Sequence, residues 1–473
     1  MQRMAILVSI GLLGLRGCER APEIAPDPSW HTCIVDRAGD VGYDTSLALD
    51  QDGHPHIACW DMGSEHLKYA RWNGSVWQIE ALPFGERPRQ PSLVVDREGR
   101  PHISYMDLST YHEGNLMYAV QNDATWDIQT VAGGGDVGYE NCLALDNEEK
   151  PHIVYQSFSQ EAGHLPRIDL LYATLRGAEW QLETVQFGGQ VGRDASLAMD
   201  DRGYPHIAYL GEGVDYAARN GSSWQIETID TTGGMGHRAL ALDAAGKPSV
   251  AYVKYNALVY AVRSDASWQN HTVRAVEKWG RQLAETSLCV DEQGTAHIAF
   301  TDHNHGDYDL YYAVGSGTDW DVQLIERAGS SGEYPSIALD SEGYAHISYG
   351  GAGELKYATN NPDAASVLQA QAQSAQPGGG GASAMPAEPP FWVFFFGIAF
   401  LSFLSWAILV FALWDCAQRD FPYPKTRALW CLLVALVQLI GPVVYLLVVY
   451  RTDCPPRQQP QPPPPPPPEP GQV

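Results

Sequence analysis

Five groups able to ligate a metal crowd the stretch "TDHNHGDYD": Asp302, His303, His305, Asp307 and Asp309 place imidazoles and carboxylates within eight residues. Carboxylates suit a hard cation such as Ca²⁺, and imidazole adds affinity for transition metals. The same residues also read as a solvated polar loop. Two weaker candidates for binding pair an imidazole with an acid, His112 with Glu113 and Glu161 with His164. A further pair stands in "SLALDQDGHPHIAC", where Asp50 and His56 flank a tight Gly-containing turn as a catalytic or metal-binding pair would.

Repetition decides how that last pair is read. Seven copies of the phrase align on Asp50, Asp96, Asp146, Asp200, Asp243, Asp291 and Asp340. Six keep the imidazole, at His56, His102, His152, His206, His297 and His346, while Ser249 replaces it in the fifth. Catalysis needs such a pair once, so the pairs Asp50 with His56 and Asp96 with His102 are expected to fasten hairpins.

The elements that would position these residues follow from the period, which runs from 43 to 54 residues. A unit of that length made of strands and turns is a propeller blade. Each unit holds an apolar strand such as Leu47 to Leu49, a turn, an alternating "PHIAY" strand, a third strand with a Tyr-Ala pair, and a fourth opening on Trp. The seventh copy stops after Tyr357, and its missing strand is "WHTCIV", Trp30 to Val35, at the other end of the chain. The fold expected is therefore an all-β, seven-bladed propeller over residues 30–361, closed by its N-terminal strand so that no edge stays open. This order puts "SLALD" on the central channel. The recurring Trp and Tyr are expected to pack neighbouring blades together.

Long links between second and third strands, such as "MDLSTYHEGN" and "QSFSQEAGHLPRID", share one face with the links between blades. That face is the expected functional surface, because binding groups concentrate on variable loops carried by a rigid scaffold.

The flanks give an address. Residues 1–18 have the basic start and apolar run of a secretory signal, and "LRGC" resembles a bacterial lipobox with lipidation at Cys18. Residues 362–390 form an Ala, Gln and Gly-rich linker. Two apolar stretches, 391–414 and 428–450, are each long enough to cross a bilayer as a helix. The link at 415–427 carries Arg419, Lys425 and Arg427, which puts it in the cytoplasm and the propeller outside a bacterial inner membrane. A Pro-rich tail fills 451–473. Cys33, Cys59, Cys142 and Cys289 fall in different strands and read as buried thiols, with Cys33 and Cys59 a conceivable clasp across the seam. A formal charge of −26 and a pI near 4.8 argue against nucleic-acid binding.

Two resemblances follow from these residues. The stretch "DCAQRDFPYPKTRALWCLLVALVQLIGPVVYLLVVYR", with Trp430, Gly441-Pro442, Tyr445 and Arg451, resembles the two-helix module at the N-terminus of cardiolipin synthases and phospholipase D-type proteins. That module implies membrane attachment. The HxKxxxxD motifs that carry the family's chemistry are not matched, since His66-x-Lys68 is followed by Asn73 where the Asp should stand. The repeat resembles sialidase-like and fucose-lectin-like bacterial propellers, without the sialidase Asp-box. What these imply together is a membrane-anchored envelope module that binds a glycan, peptide or envelope protein. The alternative is an envelope hydrolase or lyase with acid and base converging at the channel.

Overall fold

The computed structural model describes residues 25–364, apart from short stretches at 86, 111–112, 124, 160–166, 233–236, 266, 277–280, 305–306 and 328–330. Seven antiparallel four-stranded sheets succeed one another over residues 43–81, 88–132, 136–186, 193–230, 238–275 and 281–326, with the last built from 331–359 and 31–36. The protein is a seven-bladed β-propeller. In the first six blades the strands lie in chain order. In the seventh, the N-terminal strand His31–Asp36 pairs with Glu354–Thr359, so the chain's start is the outermost strand of its final blade. The expected closure is what the structure shows. Among the described residues no helix is long and apolar enough to cross a membrane; both stretches expected to do so lie outside them.

Burial is greatest in the middle of each blade, since the innermost strand, such as Tyr43–Leu49, is half-exposed to the channel. A second strand such as Pro55–Asp61 is almost wholly buried, whereas the outermost Trp77–Ala81 is nearly all exposed. Between neighbouring blades the recurring aromatics meet. Tyr69, Tyr118, Tyr172, Tyr216, Tyr260, Tyr312 and Tyr357 each receive a Trp of the next blade edge-on, at ring-centroid separations of 5.0 to 5.8 Å. Each such pair contributes about 0.5 to 1.5 kcal/mol beyond the area it buries. Trp30 immediately precedes the closing strand, and it meets Tyr312 while its Nε1 donates to Gln323 at 2.8 Å.

A second lock runs nearer the axis. The Ser of each "SLALD" phrase accepts the backbone N–H of the next blade's innermost strand: Ser46 from Leu93, Ser92 from Leu143, Ser196 from Leu240, Ser287 from Ile337 and Ser336 from Leu47. Cys142 does the same with its sulfur toward Leu197 at 3.4 Å. The bond from Leu47 to Ser336 at 3.0 Å joins blade one to blade seven. The links between blades are tight as well. Gly42 holds φ +91°, and a Cβ there would lie 2.6 Å from the carbonyl oxygen of Glu354, so only glycine fits.

Candidate functional site

The repeated turn between first and second strands is flanked by the Asp and His of every copy but the fifth, where Ser249 replaces the His. In every blade the repeat Asp caps its own turn: Asp50 Oδ1 accepts the N–H groups of Asp52 and His54, and Asp243 those of Ala245 and Lys247. The imidazole Nε2 lies 3.1 to 3.7 Å from the other carboxylate oxygen. Its Nδ1 meets the hydroxyl of the third-strand Tyr, as in His102 with Tyr118 and His297 with Tyr312. In the fifth blade Tyr260 donates to Ser249 at 2.8 Å instead. Burial lowers the imidazoles' proton affinity, to about 4 at His56, despite the pull of Asp50. These Asp–His–Tyr chains are buried fasteners, and the Tyr partner is the part that the sequence reading missed.

A ring of polar residues at the channel is of another kind. Six residues before each repeat Asp stand Asp44, Gln90, Glu140, Asp194, His237, Glu285 and Tyr334. The register slips by a bulge at this point, between Tyr43 and Ser46 in blade one and at the equivalent place in five others. Asp44, Gln90, Glu140, Asp194 and Tyr334 hold φ of +49° to +52°, the left-handed conformation that costs a non-glycine residue about 1 kcal/mol. Strain repeated at one position of the ring is a device that aims side chains. All seven residues line one cavity of about 240 Å³, at the end of the channel where the inter-blade links arrive.

The electrostatics of that cavity couple blades that never touch in sequence. His237, half-exposed, lies 3.7 Å from Asp194, whose other oxygen takes Arg238 at 3.0 Å. Confinement disfavours its charge, yet Asp194, Glu285, Glu140 and Asp44 outweigh this and raise its proton affinity. Burial pushes Glu285 up to about 7, even though His237 and the N–H of Tyr334 favour its anion. Burial likewise raises Glu140 and Asp44. Carboxylates from blades one, three, four and six thus face one imidazole from blade five. The arrangement can accept hydrogen bonds from hydroxyls, hold a cation, or exchange a proton near neutral pH.

The ligand set expected around Asp302 is only partly brought together. Asp302 and Asp309 are opposite residues in the ladder, but Asp302 meets Arg274 at 3.2 Å and Asp309 meets Arg327 at 3.3 Å. The rings of His303 and Tyr308 stack 4.4 Å apart, and Asp307 pairs through its backbone with Asn304. His305 lies outside the described residues, as do His112, Glu161 and His164; Glu113 is placed by its backbone opposite Thr110. Asp50, Asp52 and His54 are a group whose ligand atoms lie within 4.8 Å of one another, on a turn that Asp50 already caps. Lys68 is held by Asp36 at 2.9 Å and Asp61 at 3.2 Å. Cys33 and Cys59 pack in one cluster as free thiols, so no clasp forms there. Cys18 lies outside the described residues.

Residues 407–448 match the family Phospholipase_D-nuclease N-terminal. No curated protein sequence matches the chain. Among solved structures, a polysaccharide lyase, an ulvanlyase, is similar at 13% identity with TM-score 0.46, covering 68% of this chain and 95% of its own. The intramolecular trans-sialidase from Ruminococcus gnavus is similar at 13% identity, TM-score 0.39, covering 70% and 97%. The SapL1 lectin follows at 10% identity, TM-score 0.41, covering 60% and 97%. These are similarities to sialidase, lyase and lectin propellers.

The sequence did carry a signal for the ring. Counted back six from the repeat Asp, four of seven copies are acidic at a position otherwise occupied by Gln, His and Tyr. An apolar repeat with one variable polar position marks a place where copies have stopped being equivalent.

Proposed function

We propose that the propeller is a membrane-anchored binding module of the bacterial envelope that takes a glycan at the channel mouth. One observation carries this reading: seven non-equivalent polar side chains, five of them on left-handed bulges, line a single cavity. Carboxylate, amide, imidazole and phenol groups set around a ring suit the many hydroxyls of a sugar. Phe187 and Tyr255, 67% and 77% exposed, stand on links that reach the same face and offer aromatic surfaces for stacking. The two C-terminal apolar stretches hold the propeller on the extracytoplasmic side, with the linker between them and the ring.

The test is titration of the full chain in detergent micelles with a panel of neutral oligosaccharides. Asp44→Asn combined with Glu140→Gln is expected to weaken binding at least tenfold, about 1.4 kcal/mol. Unchanged affinity for every bound sugar would overturn the site. A second reading rests on Glu285, whose proton leaves at about pH 7 beside carboxylates of other blades, as a general acid of a hydrolase or lyase requires. Release of shortened sugars by the wild type, lost in Glu285→Gln, separates that reading from binding alone.

A further inference from the structure

The hairpin turns between first and second strands, and those between third and fourth, share the face opposite the channel mouth. There the seam between blades three and four opens into a niche of about 470 Å³. Its floor is the His152 and Tyr172 of blade three, and its far wall is Tyr204 and Pro205 of blade four. Lys150, Arg176 and Arg219 line it against one carboxylate, Asp146, which is committed to its turn and to His152. Such a gathering of cations stands out in a chain with 56 acidic and 30 basic residues.

The repeat shows which cation is out of place. Four residues after each third-strand Tyr the copies carry Asn73, Asn122, Asn220 and Asn361, or Ser264 and Ser316; blade three alone has Arg176. Arg219 is held by Glu183 at 2.8 Å, and Lys150 lies against Glu148. Arg176 is exposed, and its guanidinium has neither a hydrogen bond nor an ion pair among the described residues. The niche between blades seven and one is lined by Trp72, His54 and Asn361 where this one has Arg219, Tyr204 and Arg176, so the same fold position has diverged in chemistry.

We propose that the niche between blades three and four is a second binding site, taking an oxyanion group carried by an acidic saccharide, with Arg176 as its principal contact. Guanidinium matches carboxylate and sulfate through paired N–H donors, and Arg219 and Lys150 flank it in the lining. Tyr204 and Pro205 supply a wall for the sugar ring. The site is separate from the channel mouth and does not depend on it.

Calorimetric titration of the full chain in micelles, with glucuronate, a sulfated disaccharide, its unsulfated form and inorganic sulfate as probes, tests the assignment. An acidic sugar is expected to bind, its unsulfated counterpart to bind at least tenfold more weakly, and affinity to fall as salt rises. Arg176→Asn, which installs the residue of four other blades, should reduce acidic-sugar binding at least tenfold without altering thermal stability. Asp44→Asn with Glu140→Gln should leave it unchanged, which separates this site from the mouth. Binding of inorganic sulfate as tight as that of the sulfated sugar, full affinity in Arg176→Asn, or no binding of any acidic probe would overturn the proposal.

Discussion

Glu285 shows at the scale of one residue how the channel differs from the fasteners. Its folded proton affinity is raised to about 7 from an ordinary 4.5, so between those values the unfolded chain ionises first and rising pH favours unfolding. The cost is complete above about pH 7 and absent below about pH 4.5. Glu285→Gln cannot ionise, and it is expected to be more stable than wild type at pH 8 by on the order of 1 to 3 kcal/mol, with the difference vanishing at pH 4. Urea midpoints at the two pH values measure this; a difference independent of pH would contradict the assigned burial. The imidazole of His56 behaves oppositely, since burial lowers its folded proton affinity to about 4 and acid destabilises it. The Asp–His half of that fastener was legible because it recurs. Its Tyr was legible only as packing, because nothing in a one-dimensional spacing shows a hydroxyl turning toward an imidazole on the neighbouring strand.

Among the elements, the N-terminal strand bears the closure. Trp30 is 7% exposed, and its neighbours include Tyr312 and Gln323 of the preceding blade. Trp30→Ala is expected to cost about 3 to 5 kcal/mol, and it should act unevenly along the chain. Hydrogen exchange should show the amides of Glu354–Thr359, which pair with His31–Asp36, losing protection before those of blade three. Uniform loss around the ring would mean that the strand does not close it. The arithmetic of Trp-initiated strands found this element because the fragment and its gap lie at opposite ends of one sequence. The bulges of the innermost strands were not found, since a register slip leaves the alternation of apolar residues after it intact.

For the whole molecule, a ring of blades fixes two faces, and the chemistry divides between them. Carboxylates and His237 gather at the mouth, whereas Lys150, Arg176 and Arg219 gather at a seam on the opposite face. Topology is tested with single-cysteine variants in intact cells: Tyr255→Cys should react fully with a membrane-impermeant maleimide, and native Cys416 in the 415–427 link only after permeabilisation. Labelling in the reverse order would invert the proposed orientation. What the sequence determined by itself is the number of blades, the order of strands within each and the strand that closes them, because repetition and alternation are local patterns written seven times. The apolar length of the C-terminal stretches is likewise a local property. Tertiary structure decided which of the many acids and imidazoles meet. Asp44, Glu140, Asp194, His237 and Glu285 lie up to 241 positions apart, and only the curvature of the closed ring turns them into one cavity.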